Sequence, residues 1–483
     1  MMAQNPIVLL RWRCLLAVFG LLLLPVLGRA EAKPNVIFIL TDDQGHWAVN
    51  ANGADDCKSL LTPNLDRLAK AGTRFSEAVV CTPVCSPSRA TWLTGRIPSQ
   101  HGVQDWLLPD ETDGEEARSY IEEQPTLSAA LAEQGYVVGL CGKWHLGADA
   151  RPQAGFSYWS TVPGGGGRYR DPKFVKDGKR FQRKGYKSDL LGNDALEFIE
   201  RNQDRPFFLF LSFYAPHTPL EFQTEQYRAP YGDSQFPCFP DLPMHPSHMR
   251  EMNGRVSGHL RDFGKRHSKL SYSALVTGID HNVGRVIKRI EELNLSDKTV
   301  VIFASDHGFH AGHEGIWGKG NGTVPFNFHE RSVRIPLIWS HPGRIPAGRK
   351  LTCLVSSYDF LPTLFDYLQL KPPKDERRVG RSYAHLLVGE DGDWDDEVYF
   401  EYEYVRGIRT KRWKYVERTP EWPSELFDLE NDPVERRNVL SYPQYSKLVE
   451  GLRRRLHDFF ERAGAPPAAD WRSTTRQKLA VYE

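Results

Sequence analysis

Unbroken apolar runs that stop abruptly at acids and glycines dominate the first three quarters of the chain. Residues 35–40 read NVIFIL before TDDQG, and residues 299–304 read TVVIFA before SDHG. Runs at residues 136–140 and 207–213 likewise lack the alternation of a sheet with one wet face, so they predict strands covered by helices on both sides. Helical spacing fills the intervals at residues 64–71, 127–134, 190–201 and 271–293. Strands alternating with helices predict an α/β fold over residues 33–370, a large doubly wound, mostly parallel sheet flanked by helices. The pattern then changes. Residues 371–390, with PPKDERR, predict a linker or domain-edge loop, and VYFEYEYVRGIRTKRWKYV predicts two or three antiparallel strands. A turn at residues 431–433 and a helix at 445–462 complete a smaller C-terminal α+β domain, residues 391–483.

The first 32 residues fit a cleaved signal peptide. Arg11 and Arg13 precede an apolar stretch from Cys14 to Leu27, followed by small residues at Gly28, Ala30 and Ala32. The stretch is shorter than the roughly 20 residues of a spanning helix and contains Pro25. Secretion or export to a periplasm is expected, without stable membrane insertion. Removing Cys14 leaves Cys57, Cys81, Cys85, Cys141, Cys238 and Cys353, too sparse for a disulfide framework and without zinc-site spacing. A net charge of +1 over 483 residues gives no general attraction to nucleic acid.

Asp42 and Asp43 follow one predicted strand, and Asp306 with His307 follows another. The carboxyl edge of an open α/β sheet is where ligands bind. Three carboxylates and an imidazole meeting there would repel one another without a cation between them, and oxygen-rich coordination favours calcium or magnesium. Acids after strands also cap helices, but two such pairs favour a metal. The stretch CSPSRATWLTG predicts a loop entering a short helix, with Ser86 as cap, Pro87 in the first turn and Gly95 as stop. Cys85 then sits at a helix N-terminus, where free amides and nearby Arg89 lower a thiol's pKa.

Cys85-Ser86-Pro87-Ser88-Arg89 followed by Leu93-Thr94-Gly95 resembles the maturation motif of type I sulfatases, in the alkaline-phosphatase-like superfamily. The resemblance continues through TDDQG, GKWHLG, PHTP, SDHG, WGKG and, near the C-terminus, LFDLENDPVE. It implies that a maturation enzyme oxidises Cys85 to formylglycine, whose hydrate attacks sulfur. It also implies one Ca2+ bound by Asp42, Asp43, Asp306, His307 and modified Cys85. Arg89 and Lys143 would hold the hydrate, and Lys143 and Lys319 would neutralise sulfate oxygens. His217, with Lys319, would protonate the departing alcohol, and His145 would take the proton that lets sulfate leave. The implied substrate is a sulfate monoester. A related phosphonate monoester or phosphodiester hydrolase and a catalytically dead glycan-binding protein are the alternatives.

Two departures from the family pattern stand out. His313-Glu314-Gly315 replaces the Glu-His-Gly of many relatives, which makes His313 a candidate substrate contact. The glycine run at residues 164–167 occupies the region where some sulfatases place a serine that supports the histidine on the formylglycine side. Asp105 and Trp106, close after the nucleophile helix, are further candidate sugar contacts. RYRDPKFVKDGKRFQRKGYK, residues 168–187, has only two acids among its many cations, which fits either a contact for a polyanionic saccharide or a solvated hairpin.

Overall fold

The computed structural model describes residues 33–52, 59–114, 117–220, 223–252, 255–390, 392–418 and 422–467. The predicted signal peptide lies outside them. The described residues from Pro34 onward form one compact unit.

A ten-stranded sheet organises this unit. Its five central strands, in spatial order Thr299–Ser305, Asn35–Asp42, Phe207–Pro216, Val137–Gly142 and Phe156–Thr161, are parallel. The expected strands are present and lengthened at their carboxyl ends. The margins differ from a parallel sheet: Leu337–Ser340 and the hairpin Lys173–Lys176 with Lys179–Gln182 join antiparallel, so the sheet is mixed.

Alternate residues of the central strand enter opposite cores. Ile37 and Ile39 pack under helices Pro63–Lys70, Lys187–Asn202 and Arg266–Glu292. Val36, Phe38 and Leu40 pack under Cys85–Thr94, Leu127–Glu133 and Phe360–Tyr367. Both faces are dry, which is why these strands read as continuous apolar runs. Phe38 touches Trp92, Phe210 and Phe360 at ring-centroid distances of 5.3, 5.3 and 4.5 Å. Trp92 belongs to the helix that begins at Cys85, so this aromatic cluster sets the position of that helix beneath the sheet edge. Truncating Phe38 to Ala removes about 3–5 kcal/mol of stability by the usual cost of a large core cavity.

The C-terminal segment forms four antiparallel strands rather than two or three: Glu397–Tyr402, Val405–Thr410, Trp413–Arg418 and Glu425–Asp428, with helix Ser446–Arg462 against them. The stretch expected to be a linker or domain-edge loop packs against the main body. It contains helix Ala384–Val388, and Tyr383 and Leu387 are buried in the core of the large sheet. Cys81, Ile97 and Tyr358 share a third core with Tyr399, Ile408, Leu452 and Phe459, so the small sheet has no separate interior. Cys238 is disulfide-bonded, while Cys81, Cys85, Cys141 and Cys353 are free. Among the described residues no helix is long and apolar enough to cross a membrane.

Candidate active site

The carboxyl ends of the five parallel strands deliver, in sheet order, Asp306 and His307, Asp42 and Asp43, His217, Lys143 with His145, and the glycine run 164–167. Two further elements converge on the same edge. The helix Cys85–Thr94 points its first residue there, and the loop holding Lys319 closes over it. Val84, not Ser86, is the residue before the helix, and it makes no side-chain cap. Ser86 Oγ instead accepts from the Leu107 amide at 3.1 Å and fastens the next loop. Gly95 ends the helix as expected, at φ +68°.

Cys85 Sγ lies 3.4 Å from Asp42 Oδ1, 3.4 Å from His307 Nε2 and 2.9 Å from Lys319 Nζ. Lys319 also donates to Asp43 Oδ1 at 2.8 Å, and Lys143 pairs with Asp42. Arg89, fully buried, forks onto Asp306 Oδ2 at 3.0 and 2.9 Å and donates to Ser212 Oγ at 2.7 Å. It is thus a brace between acid and scaffold. Burial opposes ionisation of Cys85, but Lys143 and Lys319 outweigh it and hold the thiol well below its usual range.

Asp42, Cys85, Asp306 and His307 each offer a ligand atom within 4.8 Å of the others, and Asp42, Asp43 and His217 form an overlapping group. His307 Nδ1 lies 3.0 Å from the Gly308 carbonyl, to which it donates, so Nε2 faces Asp306 Oδ1 at 3.2 Å and Asp42 Oδ1 at 3.7 Å. Burial and then Asp42 push Asp306 up to about 7. A nitrogen and carboxylate oxygens crowded in a dry site are what a hard divalent cation relieves, so the residues fit a metal. Asp43, at φ +68°, is turned into this cluster in a backbone conformation that non-glycine residues rarely adopt.

A cavity of about 340 Å³ opens from the cluster. Its walls include Trp106, His145, residues 164–167, Tyr214, His217, His259 and Asn321. His217 Nε2 is 3.8 Å from Asp43 Oδ2; burial lowers its pKa, but Asp43, Asp42 and Cys85 together outweigh it and raise the pKa. His145 is buried, its Nε2 2.9 Å from the Leu107 carbonyl, and burial followed by Lys143 lowers it to about 4.

Two expected substrate contacts are not in the cavity wall. Asp105 is buried and accepts from Tyr402 Oη at 2.7 Å, which ties the loop to the small sheet. His313 packs on Trp47 at 5.0 Å and its Nδ1 meets the His310 carbonyl at 2.6 Å, so a local turn consumes it. Trp106 does line the cavity. Sequence reasoning missed Ser212, Tyr214, Asp149, His259 and Asn321, none of which sits in a motif, and it singled out Lys187 only as the end of the basic segment 168–187. Burial and then Lys319 lower His259 to about 3, so it faces the cavity as a neutral imidazole.

The sulfatase family model matches residues 34–370, and a second model, N-sulphoglucosamine sulphohydrolase C-terminal, matches residues 326–462. An N-acetylglucosamine-6-O-sulfatase of Bacteroides thetaiotaomicron is 27% identical, with 88% of this chain and 86% of the relative covered. An N-acetylgalactosamine-6-sulfatase of Canis lupus familiaris is 30% identical over 82% of this chain and 72% of its own length. A chain solved with its substrate D-glucosamine-2-N,6-O-disulfate shares the fold at a TM-score of 0.74 and 24% identity, covering 89% of this chain and 98% of that one. Motifs, converging strand ends and family match agree: the chain belongs to the sulfatase family and is a sulfuric ester hydrolase.

Proposed function

We propose that this enzyme removes sulfate from a saccharide, using a formylglycine made from Cys85 and one Ca2+ held by Asp42, Asp43, Asp306 and His307. The observation that carries the reading is the placing of Cys85 between Lys319, Asp42 and His307 at the floor of a cavity with two histidines in its wall. Formylglycine supplies, through its hydrated aldehyde, the oxygen nucleophile that a thiol does not offer, and the cation supplies charge for the equatorial sulfate oxygens.

The protein's own residues do the rest. Three carboxylates, Asp42, Asp43 and Asp306, face three cations, Arg89, Lys143 and Lys319. These cancel, so a bound divalent ion leaves the site positive toward an anionic sulfate ester. Lys143 and Lys319 stand where charge grows on sulfate oxygens. The S–O bond to the alcohol breaks, and that oxygen receives a proton from His217. His145, whose Nε2 is committed to Leu107, keeps Nδ1 as the base for the step that frees inorganic sulfate. Overall, one ester and one water become one alcohol, one sulfate and one proton.

Saccharide is favoured by the cavity wall, in which Trp106 gives a flat apolar face while His259 and Asn321 offer neutral polar groups to hydroxyls. Arg168, Arg170, Lys173, Lys179 and Lys184 are exposed on the segment leading out of the glycine wall, in keeping with an anionic glycan. Exported protein carrying residues 1–32 as a signal peptide would meet such substrates outside the cell.

Mass spectrometry of the peptide containing Cys85, together with turnover of matched sulfate and phosphonate monoesters, tests this. The expected result is an aldehyde in place of the thiol and a strong preference for sulfate. Full activity with an intact Cys85 thiol, or a preference for the phosphonate, overturns it.

A further inference from the structure

The wall behind His145 is made of four consecutive glycines, and two buried charges hold it. Asp149 Oδ2 accepts from the Gly164 amide at 3.0 Å and also takes the Gly165 amide. Lys187 Nζ donates to the carbonyls of Gly166 at 3.2 Å and Gly167 at 2.8 Å. Among the described residues neither charge forms a salt bridge. Lys187 rests instead 4.0 Å over the Tyr214 ring. Both are nearly inaccessible, at 0% and 1% exposure.

Keeping such groups unpaired is expensive. Burial, followed by the nearby Asp113, pushes Asp149 up to about 7, and burial, followed by Lys143, drives Lys187 well below its usual range. Asp149 is itself immobile: its amide donates to Thr112 O and its carbonyl accepts from Trp159 Nε1, both at 2.9 Å.

What the wall touches is His145. A Cβ on Gly165 would lie 2.1 Å from His145 Cδ2, and Gly165 has φ +65°, so both contact and backbone demand glycine there. The ring is therefore pressed between the wall and the Leu107 carbonyl, which takes Nε2–H at 2.9 Å and leaves Nδ1 without a partner.

We infer that Asp149 and Lys187 are positioning residues, which clamp the glycine wall and through it hold the His145 ring with Nε2 protonated and Nδ1 bare. This chain thereby fixes its histidine by shape and one carbonyl, where some relatives use a serine side chain. The kinetic part of the inference rests on the sulfatase reading, but the ring geometry does not.

The test uses the mature full-length enzyme with Asp149→Ala, Lys187→Met and Gly165→Ala. In protein labelled with 15N-histidine, the wild type is expected to show a slowly exchanging Nε2 proton for His145, assigned by its loss in His145→Gln. That signal should vanish or broaden in Asp149→Ala and Gly165→Ala. With an aryl sulfate, kcat should fall about 10- to 100-fold, a typical cost of misplacing a catalytic group by an ångström, while kcat/KM changes less than about twofold. The split is expected because kcat/KM reports steps up to alcohol release and His145 acts afterwards. A collapsed site would lower both together. Asp149→Asn, which keeps the shape, stands in if Asp149→Ala does not fold. Persistence of the His145 proton in Gly165→Ala and the Asp149 variant overturns the clamp, as does an equal fall of kcat and kcat/KM. If wild type turns over no sulfate ester, the functional reading fails while the proton signal still decides the clamp.

Discussion

Two largely buried clusters in this molecule hold the same tally of charge and do opposite things. At the sheet edge, Asp42, Asp43 and Asp306 face Arg89, Lys143 and Lys319. At the junction with the small sheet, Glu77, Glu330 and Glu435 face Arg334, Arg409 and Lys414. The junction adjoins a cavity of its own, about 420 Å³. There each acid is matched: Glu330 receives Arg409 at 2.9 and 3.0 Å and Lys414 at 2.6 Å, and Glu435 receives Lys414 at 2.8 Å. Burial opposes ionisation of Glu330, yet Arg409 and Lys414 hold it well below its usual 4.5. At the sheet edge Asp306 moves the other way, through burial first and then the facing Asp42, while Asp42 itself, against burial, is held well below its usual value by Lys143, His217 and Arg89. Buried charge by itself does not mark a catalytic site. The mark is charge left imperfectly matched, beside a nucleophile and an opening.

The strongest way to break this comparison is Asp306→Ala. It should release the bound metal and lower turnover by more than about 1000-fold, because the cation's charge is lost with its ligand. Elemental analysis beside a rate assay checks it, and full activity after exhaustive chelation would contradict the metal assignment. Next in size is His217→Ala, expected to slow a sugar sulfate about 10²- to 10⁴-fold and a nitrophenyl sulfate far less, since a phenolate leaves without a proton. His145→Ala should instead release alcohol in one burst and then stall with either substrate. Single-turnover measurements separate the two histidines.

The junction should respond in stability. Glu330→Ala strands Arg409 and Lys414 without their shared partner, and unfolding experiments should show a loss of about 3–5 kcal/mol, typical of breaking a buried pair. Folded enzyme should retain its rate. Because the folded pKa of Glu330 is depressed, its contribution is present above its unfolded value of 4.5 and is lost as pH falls below that. Glu330→Gln should therefore flatten part of the stability loss on acidification, measured by thermal melting. The smallest effect belongs to the exposed pair Arg67 and Glu291, 3.4 Å apart, whose removal should cost under about 1 kcal/mol.

The residues proposed for the metal site and the nucleophile stood out in the sequence because each is adjacent to a strand end or helix start that has its own pattern. TDDQG and SDHG follow apolar runs, and Cys85 opens a helix that Gly95 closes. Asp105 and His313 misled for the opposite reason. Proximity in sequence to a motif says nothing about which way a loop side chain turns, and Tyr402 and Trp47, which claim them, come from distant parts of the chain. In the stretch read as a linker or domain-edge loop, PPKDERR is polar but the following Tyr383 and Leu387 find apolar partners in the large core.

By itself the sequence determined the parallel centre of the sheet, through runs apolar on both faces, and which residue types gather at the candidate site, through the acids and histidines at strand ends. Only the tertiary structure decided the antiparallel margins, the merging of the small sheet into the main body, and the cavity wall. The wall depends on Asp149 and Asn321 from loops meeting Lys187 and His259 from the starts of two helices. Local periodicity encodes which face of an element is buried, but it does not encode which distant element will bury it.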